Sequence, residues 1–164
     1  MGIFSKVFHG NTIEIAAPVL GEIVPIQRVP DPVFSEEMVG KGVAIIPEDG
    51  RFYAPADGEL AAFFPTGHAF CVLTKDGAEV LVHIGIDTVK LEGRHFTTHA
   101  AQGDTVKKGQ LIATVDLEAV KSEGYEIITP VIITNPDNFS SLDKKEGKVA
   151  QGDAAIILEK QEEK

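Results

Sequence analysis

The stretch Thr66–Val89, TGHAFCVLTKDGAEVLVHIGIDTV, decides the fold because it predicts a β-hairpin that carries two histidines. Two runs rich in Val, Ile, Leu and Phe flank the turn signal Lys75–Gly77, and they predict strands over His68–Thr74 and Ala78–Ile86. With a two-residue loop, His68 and His83 share one face of the hairpin, either directly opposite each other or as diagonal neighbours. Only an odd-length loop or a β-bulge would send them to opposite faces. We therefore predict paired imidazoles.

The second strand of this hairpin alternates in character, which indicates one face toward the core and one face away from it. The set predicted to face the core is Val80, Val82, Ile84 and Ile86. His83 belongs to the other set, so we predict that it points outward. Gly85 lies beside it on that face, where the missing side chain is predicted to leave room for a ligand or another protein.

The composition predicts one globular domain and argues against a nucleic-acid partner. The chain has 164 residues, 43% of them hydrophobic, which suits a single core and leaves little room for a second domain. A formal net charge of -10 argues against a nucleic-acid partner and favours a basic protein partner. The single cysteine, Cys71, rules out an intrachain disulfide. Because we find no secretory signal or membrane-spanning run, we expect a cytoplasmic location.

An internal duplication predicts the architecture. The phrase Ala17–Ile23, APVLGEI, returns as Ala54–Leu60, APADGEL, and a weaker pair links Gly103–Ile112 with Gly147–Ile156. Each phrase reads as a strand, a glycine turn and a second strand. Pieces this short cannot bury an apolar face alone, so we predict an all-β, antiparallel sandwich or flattened barrel with few short helical turns.

The chain divides into a tail over residues 1–12, a single domain over 13–160 and a charged tail over 161–164. The segment Met1–Gly10 has apolar residues at helical spacing, which predicts either weak membrane contact or a tail that is frayed or packed on its own domain. We predict a proline-restricted loop over Pro30–Gly40 and a helical turn over Leu117–Lys121. Asn135–Lys145 is predicted to be a polar connector before the last strand.

Two histidines on one strand face suit three kinds of chemistry: a metal site, a general acid/base pair, or a phosphoryl-accepting nucleophile with a supporting neighbour. A catalytic zinc site normally has three protein ligands, and no second His-x-His element accompanies this pair. His95 and His99 have the i, i+4 spacing of a metal pair, but no acidic or cysteine residues support them, so we predict that they are solvated. No nucleophile elbow for serine catalysis and no Cys/His motif is recognisable.

Several segments of the chain resemble the glucose-class enzyme IIA of the bacterial sugar phosphotransferase system. The segments are Val29–Asp31 with Val33–Phe34, Thr66–Ala69, Val82–Val89 and Thr129–Val131. The resemblance covers about residues 13–160. It implies an antiparallel β-sandwich whose two halves resemble biotinyl and lipoyl domains, which agrees with the duplicated phrases.

The resemblance also implies a phosphoryl relay during sugar uptake, in which the carrier protein HPr donates to a histidine and the group passes to the cysteine of a transporter's IIB domain. His83 matches the phosphorylated histidine, His68 the imidazole that hydrogen-bonds the phosphoryl group, and Thr66 the hydroxyl that orients His68. In the family, acidic residues meet arginine on HPr and apolar residues form a docking rim. The matching residues are Asp31, Val33, Phe34, Val39, Phe64, Leu81 and Asp87, and together with Gly85 we call them the candidate docking surface.

An alternative of a different class is a non-catalytic binding module that docks regulatory target proteins through the same surface. In that reading His68 and His83 would be two ligands of a zinc ion at a partner interface, whereas the relay requires no cofactor. The family that the chain resembles includes regulatory partners, so the relay and regulatory docking can coexist. A lipoyl-type or biotinyl-type carrier is disfavoured, because no hairpin tip shows the modified lysine in its usual setting.

Overall fold

The computed structural model describes residues 11–161; the amphipathic pattern of Met1–Gly10 and the last three residues of the charged tail lie outside that range. The strands in chain order are β1 Thr12–Ala16, β2 Gly21–Pro25, β3 Lys41–Pro47, β4 Arg51–Tyr53, β5 Gly58–Phe63, β6 Ala69–Thr74, β7 Glu79–His83, β8 Phe96–Thr98, β9 Thr105–Val106, β10 Leu111–Val115, β11 Thr129–Ile133, β12 Phe139–Lys144, β13 Gly147–Val149 and β14 Ala154–Lys160. The helices are α1 Pro32–Ser35 and α2 Leu117–Ser122, with 3₁₀ turns at Ile26–Arg28, Thr88–Leu91 and Pro136–Asn138.

The strands form one large sheet and two small ones, and all their pairings are antiparallel. The large sheet has the order β13-β2-β3-β11-β7-β6-β5-β9, and the small sheets have the orders β1-β14-β12 and β4-β10-β8. Over the described residues the large sheet does not close on itself, so the fold is a β-sandwich and not a barrel. The predicted all-β, antiparallel class with few short helices is confirmed.

The large sheet is buried on both faces near its centre, because apolar clusters lie on either side of it. In β11, Val131 and Ile133 belong to the main core, whereas Ile132 between them belongs to a second, smaller cluster. Alternate residues of a strand point to opposite faces, so the two clusters lie on opposite sides of the sheet. The smaller cluster, which we call the outer cluster, contains Val24, Ile26, Val29, Phe34, Ala44, Ile86, Ile128 and Ile132.

The duplicated phrases make the same backbone contact in both halves of the molecule. Ala17 exchanges two hydrogen bonds with the turn Gly152–Asp153, with N···O distances of 2.7 and 3.0 Å. Ala54 makes the matching exchange with Gly109–Gln110, at 2.8 and 2.9 Å. The first alanine of each Ala-Pro phrase therefore pairs with a glycine turn in one of the two weaker phrases. The repeated contact supports the duplication predicted from the sequence.

The hairpin over residues 66–89 has a three-residue loop, so the predicted two-residue loop is wrong. Ala78 donates its N–H to the Thr74 hydroxyl at 3.0 Å, and Thr74 donates its own N–H to the Ala78 carbonyl at 2.9 Å. Gly77 takes a φ of 87° between them, which favours glycine. The extra loop residue shifts the strand register by one, so that Ala69, and not His68, lies opposite His83.

Two further predictions concern segments outside the hairpin. The predicted helical turn over Leu117–Lys121 is confirmed as α2, whose N-cap Asp116 accepts from the Ala119 N–H at 3.1 Å. The predicted connector Asn135–Lys145 is wrong, because it contains a 3₁₀ turn and the strand β12. Most of β12 is exposed, so its polar residues show no alternation that could reveal a strand. No helix within residues 11–161 is long and apolar enough to cross a membrane.

Candidate active site

The two imidazoles of the hairpin lie together at its open end, with ring centroids 5.0 Å apart and planes at 81°. His83 is the last residue of β7, and His68 immediately precedes β6. The Ile84 N–H donates to the His68 carbonyl at 2.7 Å, which ties together the two segments that carry the rings. The imidazoles meet, as the sequence predicts, although the reason differs. His68 lies outside the regular strand, so strand alternation does not determine where its ring points.

The hydrogen bond of His83 decides which of its ring nitrogens carries a proton. Its Nδ1 lies 2.7 Å from the carbonyl oxygen of Gly85. A carbonyl oxygen only accepts hydrogen bonds, so Nδ1 must be the donor. In the neutral ring, Nε2 is then unprotonated and keeps its lone pair. His83 therefore presents a nucleophilic nitrogen whenever the imidazole is neutral.

The surroundings of His83 act on its pKa in opposite directions. Burial lowers the pKa below the ordinary value, because it disfavours the charged ring. The Gly85 carbonyl, Asp31 and Asp87 oppose that shift, because each stabilises positive charge on the imidazole. The balance leaves the pKa lowered, so the ring is neutral near pH 7 and lies in a negative field.

The backbone conformation and the close packing at position 85 require glycine. The prediction that Gly85 leaves room for a partner is therefore wrong. Its φ is 79°, and a Cβ at this position would lie 2.6 Å from Thr88 Cγ2 and 2.8 Å from the Glu126 carbonyl oxygen. The residue is buried, and the space beside it is already filled. The Gly85 carbonyl is the acceptor for His83 Nδ1.

His68 has a different partner and a stronger shift. Its Nδ1 is hydrogen-bonded to the Thr66 hydroxyl, and its side chain is almost fully buried, with a relative exposure of 2%. Burial, followed by the nearby His83, lowers the pKa of His68 to about 4, so the ring is neutral near pH 7. A hydroxyl can donate as well as accept. When Thr66 donates to Nδ1, the His68 Nε2 carries the proton and can donate it to a group bound at His83.

Aromatic rings enclose the pair on two sides. Phe34 lies with its centroid 5.1 Å from that of His83, and Phe64 meets His68 edge-on at 5.1 Å. Phe34 is only 6% exposed and belongs to the outer cluster, so it packs beneath His83 and offers little surface to a partner. Phe34 is therefore not an exposed residue of its loop, and its contact with a partner stays a prediction.

The segment that carries Phe34 begins with a helix cap. The Asp31 carboxylate accepts from the Val33 N–H at 3.0 Å, and Pro32 occupies the first helical position of α1. The predicted plain loop over Pro30–Gly40 thus contains a helical turn, which the Asp-Pro pair could have indicated. Asp31 has two roles here, because the same carboxylate also stabilises positive charge on His83.

The remaining candidate docking residues differ in exposure. Phe64 is 46% exposed, Val33 and Asp87 are exposed, and Val39 and Leu81 are partly buried against the outer cluster. Two apolar residues that are not among the candidate docking residues are also exposed, Met38 at 70% and Val89 at 48%. Their positions next to Val39 and two residues after Asp87 could have indicated them. Apolar side chains exposed in this way are typical of a protein-binding surface.

His95 and His99 are not a metal pair. Strand β8 separates them, so they lack the helical geometry that their spacing suggests. His95 is partly buried and pairs with the Glu123 carboxylate, and His99 is exposed and hydrogen-bonds the Thr114 hydroxyl at 3.0 Å. Within residues 11–161 no group of three or more His, Cys, Asp or Glu residues could hold a metal ion.

Comparison with known proteins places this chain in a family. The family described as phosphoenolpyruvate-dependent sugar phosphotransferase system, EIIA 1, matches residues 13–139. The chain belongs to this EIIA family. It is therefore a phosphotransferase component and a phosphoryl carrier in sugar transport. The resemblance seen in the sequence is confirmed at the level of the family.

Relatives of the EIIA family align along almost the whole chain. The glucose-specific EIIA component of Buchnera aphidicola is 43% identical over 96% of this chain and 98% of its own length. That of Haemophilus influenzae is 42% identical over the same shares. The solved structure of glucose permease IIA from Mycoplasma capricolum, 39% identical, superimposes with a TM-score of 0.85 over 92% of this chain and 97% of its own.

Proposed function

We propose that the chain accepts a phosphoryl group from phosphorylated HPr on Nε2 of His83 and passes it to the cysteine of a transporter's IIB domain. In the first step the bond between phosphorus and the donor histidine breaks as the bond to His83 Nε2 forms. In the second step the cysteine thiolate attacks phosphorus and His83 leaves. No cofactor takes part in either step, and we place the relay in the cytoplasm.

The observation that carries the proposal is the hydrogen bond from His83 Nδ1 to the Gly85 carbonyl. It keeps the proton on Nδ1 and leaves the lone pair on Nε2, which is the electron pair that attacks phosphorus. Bond formation makes the ring cationic, and Asp31 and Asp87 stabilise that charge. The cationic ring is also a good leaving group for the second step.

His68 and Thr66 suit the stabilisation of the transferred group. A transferred phosphoryl group carries its charge on three oxygens, so catalysis depends on positioning and on hydrogen bonds to those oxygens. The His68 ring lies at 5.0 Å from His83, and its low pKa keeps it neutral. A neutral Nε2–H can donate to a phosphoryl oxygen without forming an ion pair that would trap the phosphorylated state.

The surface and the relatives support the proposed partners. Exposed Val33, Phe64 and Asp87 combine apolar and acidic groups, which suits a partner with apolar and basic groups on one face. Relatives with further components include the beta-glucoside-specific EIIBCA component of Bacillus subtilis, which is 44% identical over 93% of this chain, and the chain spans 25% of that protein. Its printed name joins an A part to a B part, which supports IIB as the acceptor for this chain.

The test is incubation of the chain with enzyme I, HPr and phosphoenolpyruvate, followed by intact-protein mass. We expect a gain of one phosphoryl group that is lost in acid and retained in base, as phosphohistidine is. A second incubation with a IIB domain should remove the group. No mass gain with a donor mixture that phosphorylates a known IIA would contradict the proposal.

Regulatory docking is a second candidate function, favoured by the exposed side chains of Met38, Phe64 and Val89. This candidate function includes the predicted zinc ion, for which His68 and His83 would supply two ligands. A partner would supply the other ligands, since no group of three or more possible ligands exists within residues 11–161. A pure binder would gain no phosphoryl group in the same incubation, and its binding to a partner would depend on added zinc.

A further inference from the structure

A buried threonine lies at the end of the loop that follows His83. Thr88 is 1% exposed, and its hydroxyl donates to the Ile84 carbonyl at 2.6 Å. Its Cγ2 methyl group fills the space that a side chain at Gly85 would occupy. The sequence alone predicts no role for this residue. Its hydroxyl acts on the peptide next to the one that holds the His83 ring.

We propose that Thr88 is a positioning residue that fixes the Gly85 carbonyl as the acceptor for His83 Nδ1 and thereby keeps Nε2 free for phosphoryl transfer. The inference rests on the proposed function for its use of Nε2. It goes beyond that function in assigning the control of the tautomer to a residue that does not touch the ring.

Two consecutive peptide groups of the loop are each held by hydrogen bonds. The peptide between Ile84 and Gly85 is held at its carbonyl by the Thr88 hydroxyl. The peptide between Gly85 and Ile86 is held at its N–H by the Glu126 carbonyl, at 3.0 Å, and its carbonyl accepts from His83. Peptide groups are planar, so the φ and ψ torsions at Gly85 set the orientation of one peptide plane relative to the other. These two torsions therefore determine the direction of the Gly85 carbonyl.

The torsions at Gly85 are the least restricted in this loop. Glycine is conformationally permissive, so Gly85 alone would not hold its φ of 79°. Thr88 constrains it in two ways, through the hydrogen bond to the preceding peptide and through the methyl group packed beside the Cα. Without the hydroxyl, the Ile84 carbonyl is buried and unpaired, and the Ile84–Gly85 peptide is expected to rotate. The Gly85 carbonyl then moves away from Nδ1.

A second buried threonine provides a matched control. Thr74 lies at the other end of the same hairpin, is also buried, and uses its hydroxyl to accept from the Ala78 N–H at 3.0 Å. Thr74→Val removes a buried hydroxyl from the hairpin without touching the loop after His83. A loss of stability alone would appear in both variants, whereas a change in the His83 tautomer is expected only for Thr88.

The experiment measures the His83 tautomer by ¹⁵N NMR on the unphosphorylated, histidine-labelled full chain at a pH where the ring is neutral. We expect Thr88→Val to lower the ratio of Nδ1–H to Nε2–H roughly threefold to tenfold, the range that one neutral hydrogen bond supplies. Thr88→Ser keeps the hydroxyl and should keep the wild-type ratio. Thr74→Val should also keep it. If Thr88→Val does not fold, Thr88→Ala removes the hydroxyl without crowding Gly85.

An unchanged ratio in the hydroxyl-free Thr88 variant would overturn the inference, as would an equal change in Thr74→Val or in Thr88→Ser. The tautomer is read without any phosphoryl donor, so the test does not depend on the relay. If the ratio shifts as expected but wild-type His83 gains no phosphoryl group, the positioning by Thr88 stands and the proposed function fails.

Discussion

His68 and His83 lie 5.0 Å apart at the end of one hairpin, yet their Nδ1 atoms meet different chemical groups. His83 meets a backbone carbonyl, which can only accept, and His68 meets the Thr66 hydroxyl, which can also donate. Two identical side chains thereby become different reagents. One presents a lone pair at Nε2, and the other can present a proton there.

The same comparison holds for the charge around the two rings. Asp31 and Asp87 raise the pKa of His83 against the effect of burial, whereas burial and the neighbouring ring both lower that of His68. Positive charge is therefore tolerated on His83 and disfavoured on His68. This is the distribution that a phosphorylated His83 with a neutral hydrogen-bond donor beside it requires.

The largest expected effect is the loss of the proposed nucleophile. His83→Ala should abolish phosphoryl acceptance, because no other nitrogen in the pair is both unprotonated and held for attack. The measurement is intact-protein mass after incubation with enzyme I, HPr and phosphoenolpyruvate, with far-UV circular dichroism to confirm the β-fold. A His83→Ala chain that still gains an acid-labile phosphoryl group would show that His68 is the acceptor.

His68→Gln should separate the two steps. The glutamine amide keeps a donor of similar reach, so His83 should still be phosphorylated. Onward transfer to IIB is expected to slow by at least about tenfold, because glutamine cannot redistribute protons as an imidazole can. Single-turnover rates for each step test this separation. If His68→Gln abolishes acceptance while His83→Ala does not, the two roles are reversed.

The buried His68 should also make stability depend on pH. Its pKa falls from 6.5 to about 4 on folding, so the unfolded chain binds a proton between these values that the folded chain does not. The free energy of unfolding should fall by up to about 3 kcal/mol as the pH drops from 6.5 to 4, and this contribution is fully present above pH 6.5. Urea unfolding of wild type and His68→Gln gives the difference. Parallel pH curves would contradict the assigned shift.

The smallest expected effect concerns the encounter with HPr. Asp87→Lys should slow association with HPr roughly fivefold at low salt, because exposed charges at an interface act mainly on the encounter rate. Asp143→Lys, at an exposed position of β12 in a different sheet, changes the net charge equally and should have a much smaller effect. Equal slowing by both variants would place HPr elsewhere or show only an effect of net charge.

The sequence predicted the sandwich and the paired histidines, but it could not predict the details that make them different. The glycine turns and the duplicated phrases are local signals, and each occurs where a strand pair must close. In the three-residue loop at Lys75–Gly77 the Thr74 hydroxyl accepts from the Ala78 N–H, a contact that the turn residues do not reveal. The position of His68 depends on residues outside the regular strand.

The same limit applies to the residues around the site. Phe34 reads as an exposed apolar residue in a loop, but a capped helical turn places it in the outer cluster against His83. Gly85 reads as an opening, but its carbonyl holds the His83 ring. In both cases the role comes from segments that meet only when the chain is folded, so no local pattern predicts it.

The most direct test is to identify the nitrogen of His83 that carries the phosphoryl group. The chain is labelled with ¹⁵N histidine, phosphorylated through HPr and examined by ¹⁵N and ³¹P NMR before and after transfer. The hydrogen bond to Gly85 predicts a proton on Nδ1 in both states and phosphorus bonded to Nε2. Phosphorus on Nδ1, or a proton on Nε2 in the unphosphorylated ring, would contradict the account.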